Sequence, residues 1–274
     1  MRRMLLSIST VAMLAACSGE KRETAPEKET SRDTAAMEMP ADTADATAAT
    51  PPRAADKLFD DFIYAFMKND RFQRDRIKFP LANYVDGRNR PIAEKQWKHD
   101  YMYSREDIYT MIFDDEAALD AEKDTAVHDV TVEWVYLDKN RVKQYHFKKD
   151  NGMWQLVSLN SHALEKNGNS EFYLFYRRFV TDSTFQHDHI SNPFAFSTYD
   201  SDNFENIEGV LDVDQWIDFR PELPQHVITN INYGQAYRPT AERILVLNSL
   251  SGGMNCTLKF SKKHGEWMLT RLEN

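Results

Sequence analysis

Only two of the 274 residues are cysteines, Cys17 and Cys256, and no Leu, Ile, Val, Phe, Tyr or Trp occurs from Ser18 to Lys57. A single pair of thiols cannot staple a chain of this length into a disulfide scaffold, so stability has to come from apolar burial. The stretch without large apolar residues is dominated by Ala, Thr, Glu, Asp and Pro. It cannot bury enough surface to offset its conformational entropy and is expected to be disordered. An excess of positive charge is also missing, with 34 basic residues against 43 acidic ones. Nucleic acid and anionic membrane surfaces both demand a concentrated positive field, so neither is expected as the principal partner. No H-E-x-x-H, G-x-S-x-G, phosphate loop or paired C-x-x-C is present, so no motif announces a metal, a cofactor or an activated nucleophile.

What stands at the N-terminus is a short export pattern. Arg2 and Arg3 precede an apolar run from Met4 to Leu14, which closes on small residues in "LAAC", Leu14 to Cys17. The run is too brief for a permanent membrane span and reads as a secretory signal over residues 1–16. Its ending resembles the bacterial lipobox, which implies acyl chains on Cys17 after cleavage. Residues 17–56 would then be a tether of about 40 residues with a root-mean-square reach of roughly 35 Å. The expected location is the bacterial cell envelope, lipid-anchored on the periplasmic face or cell surface of the outer membrane. Without residues 1–16, which carry two arginines and no acid, 32 basic residues face 43 acidic ones, a net charge of −11. Attachment would therefore rest on the lipid and not on charge.

The folded part repeats itself. A shift of 113 residues superposes Phe59, Phe62, Phe66, Phe72, Gln73, Asp75, Ile77 and Pro80 on identical residues at 172–193, and Phe147, Lys149, Gly152, Trp154, Leu156 and Leu159 on identical residues at 260–272. These are 14 identities in 35 compared positions, where ordinary residue usage gives roughly two. A duplicated domain is expected, with copies at 57–165 and 166–274. Between the anchors the register drifts, since "IAEKQW" ending at Trp97 resembles "LDVDQW" ending at Trp216, 119 residues on.

Pattern gives the elements of each copy. Leu58, Phe59, Phe62, Ile63, Phe66 and Met67 recur at helical spacing, as do Phe172, Phe175, Tyr176, Phe179 and Val180, so each copy opens with an amphipathic helix. Alternating runs follow around Val130 to Tyr136, Tyr145 to Phe147 and Trp154 to Leu156, with Asn151-Gly152 as a hairpin turn; Ile244 to Leu250, Met254 to Phe260 and Trp267 to Leu272 answer them. Cys256 falls on the apolar face of one such run and is expected to be a buried, inert thiol. Helices followed by antiparallel strands give an α+β fold.

Histidines suggest a metal site only at first sight. In "FQHDHISNP", His187 and His189 flank Asp188, while the first copy has "FQRDRIKFP". Asp70 and Ser183, each three residues before a Gln, predict capping boxes and hence short helices. On a helix, residues two apart lie about 200° apart, so the imidazoles could not share an ion. No metal and no other cofactor is expected.

The pieces "FQRDRIKFPL", "EKQW" and "GMWQLVSL", with their duplicates, resemble the bacterial lipoproteins of the domain of unknown function 4348 family, and the unit of helices plus meander resembles the NTF2-like (cystatin-like) fold. The resemblance implies two tandem NTF2-like domains, each an N-terminal helical segment packed on a curved antiparallel sheet that closes into a cone. Trp97, Tyr101, Trp216 and Phe219 are the candidate ligand-binding residues, since aromatic rims bind sugars, peptides and apolar ligands; the competing reading has these rings filling the space between helices and sheet. The expected function is a noncatalytic ligand-binding or assembly role, its partner a small molecule, a glycan or another envelope protein. The alternative is an isomerase- or dehydratase-type enzyme using a cone pocket, with a carboxylate or histidine base facing a tyrosine or acid. No catalytic residue is singled out.

Overall fold

The computed structural model describes residues 54–234 and 237–274. The expected signal, Cys17 and the tether up to residue 53 lie outside the described residues. In the first half, the two predicted helical stretches are α1 (Phe59–Lys68) and α2 (Asp70–Asp75), followed by β1 (Ile77–Val85), β2 (Arg88–Asn89), β3 (Ile108–Phe113), β4 (Asp129–Tyr136), β5 (Arg141–Asp150) and β6 (Met153–Ala163). The second half runs α3 (Ser170–Thr181), α4 (Ser183–Asp188), β7 (Ile190–Asp200), β8 (Glu205–Leu211), α5 (Trp216–Phe219), β9 (Val227–Asn232), β10 (Glu242–Ser249), β11 (Asn255–Lys263) and β12 (Glu266–Glu273). No described helix is long and apolar enough to cross a membrane.

The repeat positions do equivalent physical work. Phe59 meets Trp154 edge-on at 5.1 Å and Phe172 meets Trp267 edge-on at 5.4 Å. Phe66 packs on Phe147 at 5.3 Å, Phe179 on Phe260 at 5.5 Å. Each of these rings is buried, and each fully buried Phe contributes roughly 2–3 kcal/mol relative to exposure. Lys149 and Lys262, also 113 apart, lie over the two tryptophans at 5.6 and 5.0 Å. The rings fill the concave face of each sheet.

The capping boxes are not where the sequence placed them. Asn69 and Asp182, one residue earlier than expected, are the N-caps, accepting from the Phe72 and Phe185 backbone N–H at 2.9 and 3.0 Å. Each ends one helix and starts the next, which frees Gln73 and Gln186 to reach across to other elements.

Two six-stranded sheets form, in the orders β2-β1-β6-β5-β4-β9 and β8-β7-β12-β11-β10-β3. Pairing is antiparallel except for β1 with β6 and β7 with β12. Both parallel pairs shift register in the stretch that holds Pro80 or Pro193, as expected where the ladder lacks an N–H donor. The orders match strand for strand with one reciprocal exchange: β9 completes the first sheet and β3 the second. The predicted boundary at 165/166 lies in the 3-10 turn Leu164–Lys166, and a strand crosses it in each direction.

Composition explains why β3 and β9 can serve two masters. Both are short and buried on both faces. β3 gives Met111 and Phe113 to the first core and Ile112 to the second; β9 gives Ile231 to the first and Ile228 to the second. They touch through side chains: Thr110 donates to the Thr229 carbonyl, and the Ile112 N–H donates to Asn230 Oδ1 at 2.8 Å.

Folded structure begins before residue 57. Ala54–Asp56 form a 3-10 turn, and the carboxylate of Asp56, 2% exposed, pairs at 2.8 Å with the equally buried Arg76. Asp56 also accepts from the Trp154 N–H at 3.2 Å. The expected tether therefore ends at least three residues early.

Candidate functional site

The four predicted aromatics divide into two kinds. Trp97 and Trp216 are buried, and their indole N–H groups donate to Gln73 Oε1 and Gln186 Oε1 at 3.0 and 2.9 Å. Trp97, just after the 3-10 turn Glu94–Gln96, and Trp216, at the start of α5, latch their segments to the second helix of each half, so the exposed rim is reduced to Tyr101 and Phe219. Tyr101 is covered on one side by the Arg105 guanidinium at 3.5 Å; Phe219 packs edge-on against Phe196 at 5.3 Å. His187 is exposed near Asp214, whereas His189 stacks on Phe185 at 3.6 Å. Among the described residues no group of three or more His, Cys, Asp or Glu side chains could hold a metal ion. Cys256 is buried and its thiol is pushed up to about 12 by burial, with the Glu273 charge adding.

More chemistry lies where each N-terminal helix packs on the sheet strand of the opposite half. A cavity of about 420 Å³ is lined by Asp60 of α1, Tyr109 and Met111 of β3, Asn248 of β10, Thr257 of β11 and Glu122 from the 3-10 segment Glu116–Lys123. The Tyr233 hydroxyl donates to Asp60 at 2.7 Å. Burial nevertheless pushes the Asp60 carboxyl above the usual carboxylate range, and the Asp61 charge pushes the same way. Glu122 is raised too, by burial and then by Asp60. Among the described residues no cation lies within ion-pair distance of Asp60; Lys123, which lines the same cavity and partly offsets the rise of Glu122, is exposed and paired with Asp120 at 2.9 Å. Tyr103, buried beneath and stacked on Tyr109 at 5.2 Å, is raised well above the usual phenol by burial and then by Asp60.

The equivalent place in the other half is built from the same positions with the charges moved. Tyr173 of α3 stands where α1 has Asp60, and Glu133 of β4 where β10 has Val246. Glu133 is 3% exposed and accepts four hydrogen bonds, from Gln144 at 2.8 Å, Asn167 at 2.7 Å, Tyr173 at 3.0 Å and Asn230 at 3.1 Å. Those donors use the carboxylate's capacity in full. Asn230 also holds β3, so this cluster ties the exchanged strands together.

A third acid, Asp100, sits between them in character. Burial alone would raise it, but the Lys143 ammonium at 3.1 Å and the Tyr145 hydroxyl at 2.7 Å hold it below the usual range. Sequence reading missed all three acids: an isolated Asp60 in an apolar helix or Glu133 in an apolar strand reads as a solvent face, and Asp100, outside any helix or strand, reads as loop.

Comparison with known proteins agrees with the fold. A crystal structure of an NTF2-like protein from Bacteroides fragilis is similar, with a TM-score of 0.77 and 39% identity over 82% of this chain and 98% of that one. No curated protein matches. The α+β architecture is that of two NTF2-like domains, each with its helical segment packed on a curved sheet. Residues 40–274 match the family described as Domain of unknown function (DUF4348), and the chain belongs to that family.

Proposed function

We propose that the chain is a cell-envelope lipoprotein, acylated on Cys17 and tethered by the residues that follow, whose duplicated NTF2-like module binds a small molecule without transforming it. The observation that carries the reading is the contrast between filled interiors and two under-compensated acids. The concave faces are packed with rings, whereas Asp60 and Glu122 line an open cavity with raised carboxyls, and the cation in its described lining, Lys123, is ion-paired with Asp120. A ligand with a positive end relieves that cost, since an opposite charge within a few ångströms favours the ionised carboxylate. Tyr109, Asn248 and Thr257 supply neutral hydrogen-bonding groups around it. Duplication is supported by the matching ring contacts, helix caps and tryptophan latches of the two halves.

Titration of the soluble mature chain, Cys17→Ser, with putrescine, choline and glucose separates the outcomes. Binding of a cationic probe that is lost in Asp60→Asn supports the reading; glucose alone binding, or cation binding indifferent to Asp60→Asn, refutes the charge assignment. Anchoring is tested separately, as wild-type chain should fractionate with membranes and Cys17→Ser should not. The enzyme reading draws on the same Asp60, a raised carboxyl beside a tyrosine hydroxyl being the pattern of a general acid or base. Turnover of a carbonyl-bearing substrate, abolished by Asp60→Asn, would favour it.

A further inference from the structure

The outer edge of the second sheet differs from that of the first in a way that the cavity does not explain. In the first half the edge strand β2 has two residues; its counterpart β8 has seven, of which only Leu211 is buried. The additional length is not covered by any described element. A long edge strand presents a row of unpaired N–H and C=O groups, and proteins ordinarily blunt such edges with Lys, Pro, a bulge or brevity. β8, Glu205-Asn206-Ile207-Glu208-Gly209-Val210-Leu211, has neither Lys nor Pro, and its charges are the acids Glu205 and Glu208, which guard the edge against acidic chains and not against basic ones.

The same stretch of chain is rich in exposed apolar side chains. Of the ten exposed large hydrophobic residues among those described, six lie between residues 199 and 219: Tyr199, Phe204, Ile207, Val210, Ile217 and Phe219. Val210 and Phe204 are 68% and 81% exposed. The strand is preformed, since the Asp200 carboxylate fixes the hairpin turn by accepting from the Asp202 N–H and the Asn203 side chain at 2.8 Å each. Arg271 grips Glu208 with two bonds of 2.8 and 2.9 Å. A rigid edge loses less entropy on pairing than a flexible one.

Charge selects the occupant. Residues 200–219 carry seven acids, Asp200, Asp202, Glu205, Glu208, Asp212, Asp214 and Asp218, and no Lys or Arg. A second copy of β8 would bring like charges together, and the chain's own residues 18–53 are themselves rich in acid. An anionic lipid surface would be repelled. We propose that β8 is a docking edge for an extended segment of a partner protein in which Lys or Arg alternates with apolar residues, added as a seventh strand. The backbone supplies the pairing; Glu205 and Ile207 share one face of the strand, Glu208 and Val210 the other, so each face offers an acidic and an apolar contact, and the acids supply the choice of partner.

The test uses the mature chain, Cys17→Ser, and three decapeptides: one alternating Lys with Val and Thr, the same composition with its lysines in one block, and the alternating sequence with Glu for Lys. The alternating basic peptide should bind, weaken at least tenfold between 50 and 300 mM salt, and slow amide exchange at residues 205–211 at least tenfold. The block and Glu peptides should bind at least tenfold more weakly. The exposed double variant Ile207→Lys, Val210→Lys should lose binding while keeping the wild-type melting temperature. Equal binding of the block peptide, no protection at 205–211, or indifference to the double variant would overturn the proposal. So would self-association of the free chain through these residues, which would make the edge a dimer contact.

Discussion

Buried charge is distributed differently in the two halves, although the scaffold that buries it is the same. The first half encloses Arg76 with Asp56; 113 residues on, His189 stacks on a phenylalanine and Asn169 instead accepts from Arg243 at 2.7 Å. Across the two helix-to-sheet clefts, Asp60 has one hydroxyl donor and a raised carboxyl, whereas Glu133 has four donors. Rings and tryptophan latches set the geometry, and polar groups between them have diverged. A satisfied acid holds structure together; an unsatisfied one is available to a ligand.

The sharpest way to break this comparison is at the Asp56–Arg76 pair. Asp56→Ala, or a chain starting at Lys57, leaves a guanidinium buried without its carboxylate and should cost about 3–5 kcal/mol in urea unfolding. Asn169→Ala, at the matching position, should cost less. Glu133→Ala comes next: it strands three buried donors, Asn167, Tyr173 and Asn230, together with the half-buried Gln144, and should cost about 3 kcal/mol, and a loss under about 1 kcal/mol would mean the cluster is not structural. Gln73→Ala should follow at about 2–3 kcal/mol, since Gln73 spans the Phe66 and Asp100 carbonyls, the Asp100 N–H and the Trp97 indole. Gln186→Ala should cost about 1–2 kcal/mol, because there the more exposed Arg220 side chain, which can turn to water, takes one of those places.

Asp60→Asn should have the smallest effect on stability at neutral pH, about 1 kcal/mol or less, and the clearest effect on its pH dependence. A carboxyl raised on folding gives the folded state more bound protons than the unfolded state just above the ordinary carboxylate range. Its contribution is full below the unfolded pKa and is lost as pH rises through the folded pKa. The difference between wild-type and Asp60→Asn stability should therefore fall from acid toward neutral pH and then level off, measurable as urea midpoints from pH 4 to 7. A flat difference would place Asp60 in an ordinary solvated setting.

Much of the fold could be read because core positions repeat. Phe59, Phe147 and Trp154 and their counterparts are held by packing, and packing tolerates few residue types. The Asn151-Gly152 turn was legible because both residues take positive φ, 47° and 78°. The strands β1 and β7 were hidden by prolines, which argue against strand assignment. The exchange of β3 and β9 was hidden for a different reason: a short apolar strand specifies burial but not whose sheet it joins. Asp56 was concealed in an Ala- and Asp-rich stretch that looks like tether, and Glu133 by an alternation that looks like a solvent face. In the candidate site no residue was anticipated; a carboxylate or histidine base facing a tyrosine or acid was an expectation only of the alternative enzyme reading, and no residue was attached to it.

The reciprocal exchange also bears on how this gene can be cut. Severing the connection near Leu164 would yield two fragments, each lacking a strand its own sheet requires and carrying one that belongs elsewhere. Like two linked rings, they would stay together after the nick, and neither would be a usable building block for fusion or transplantation alone.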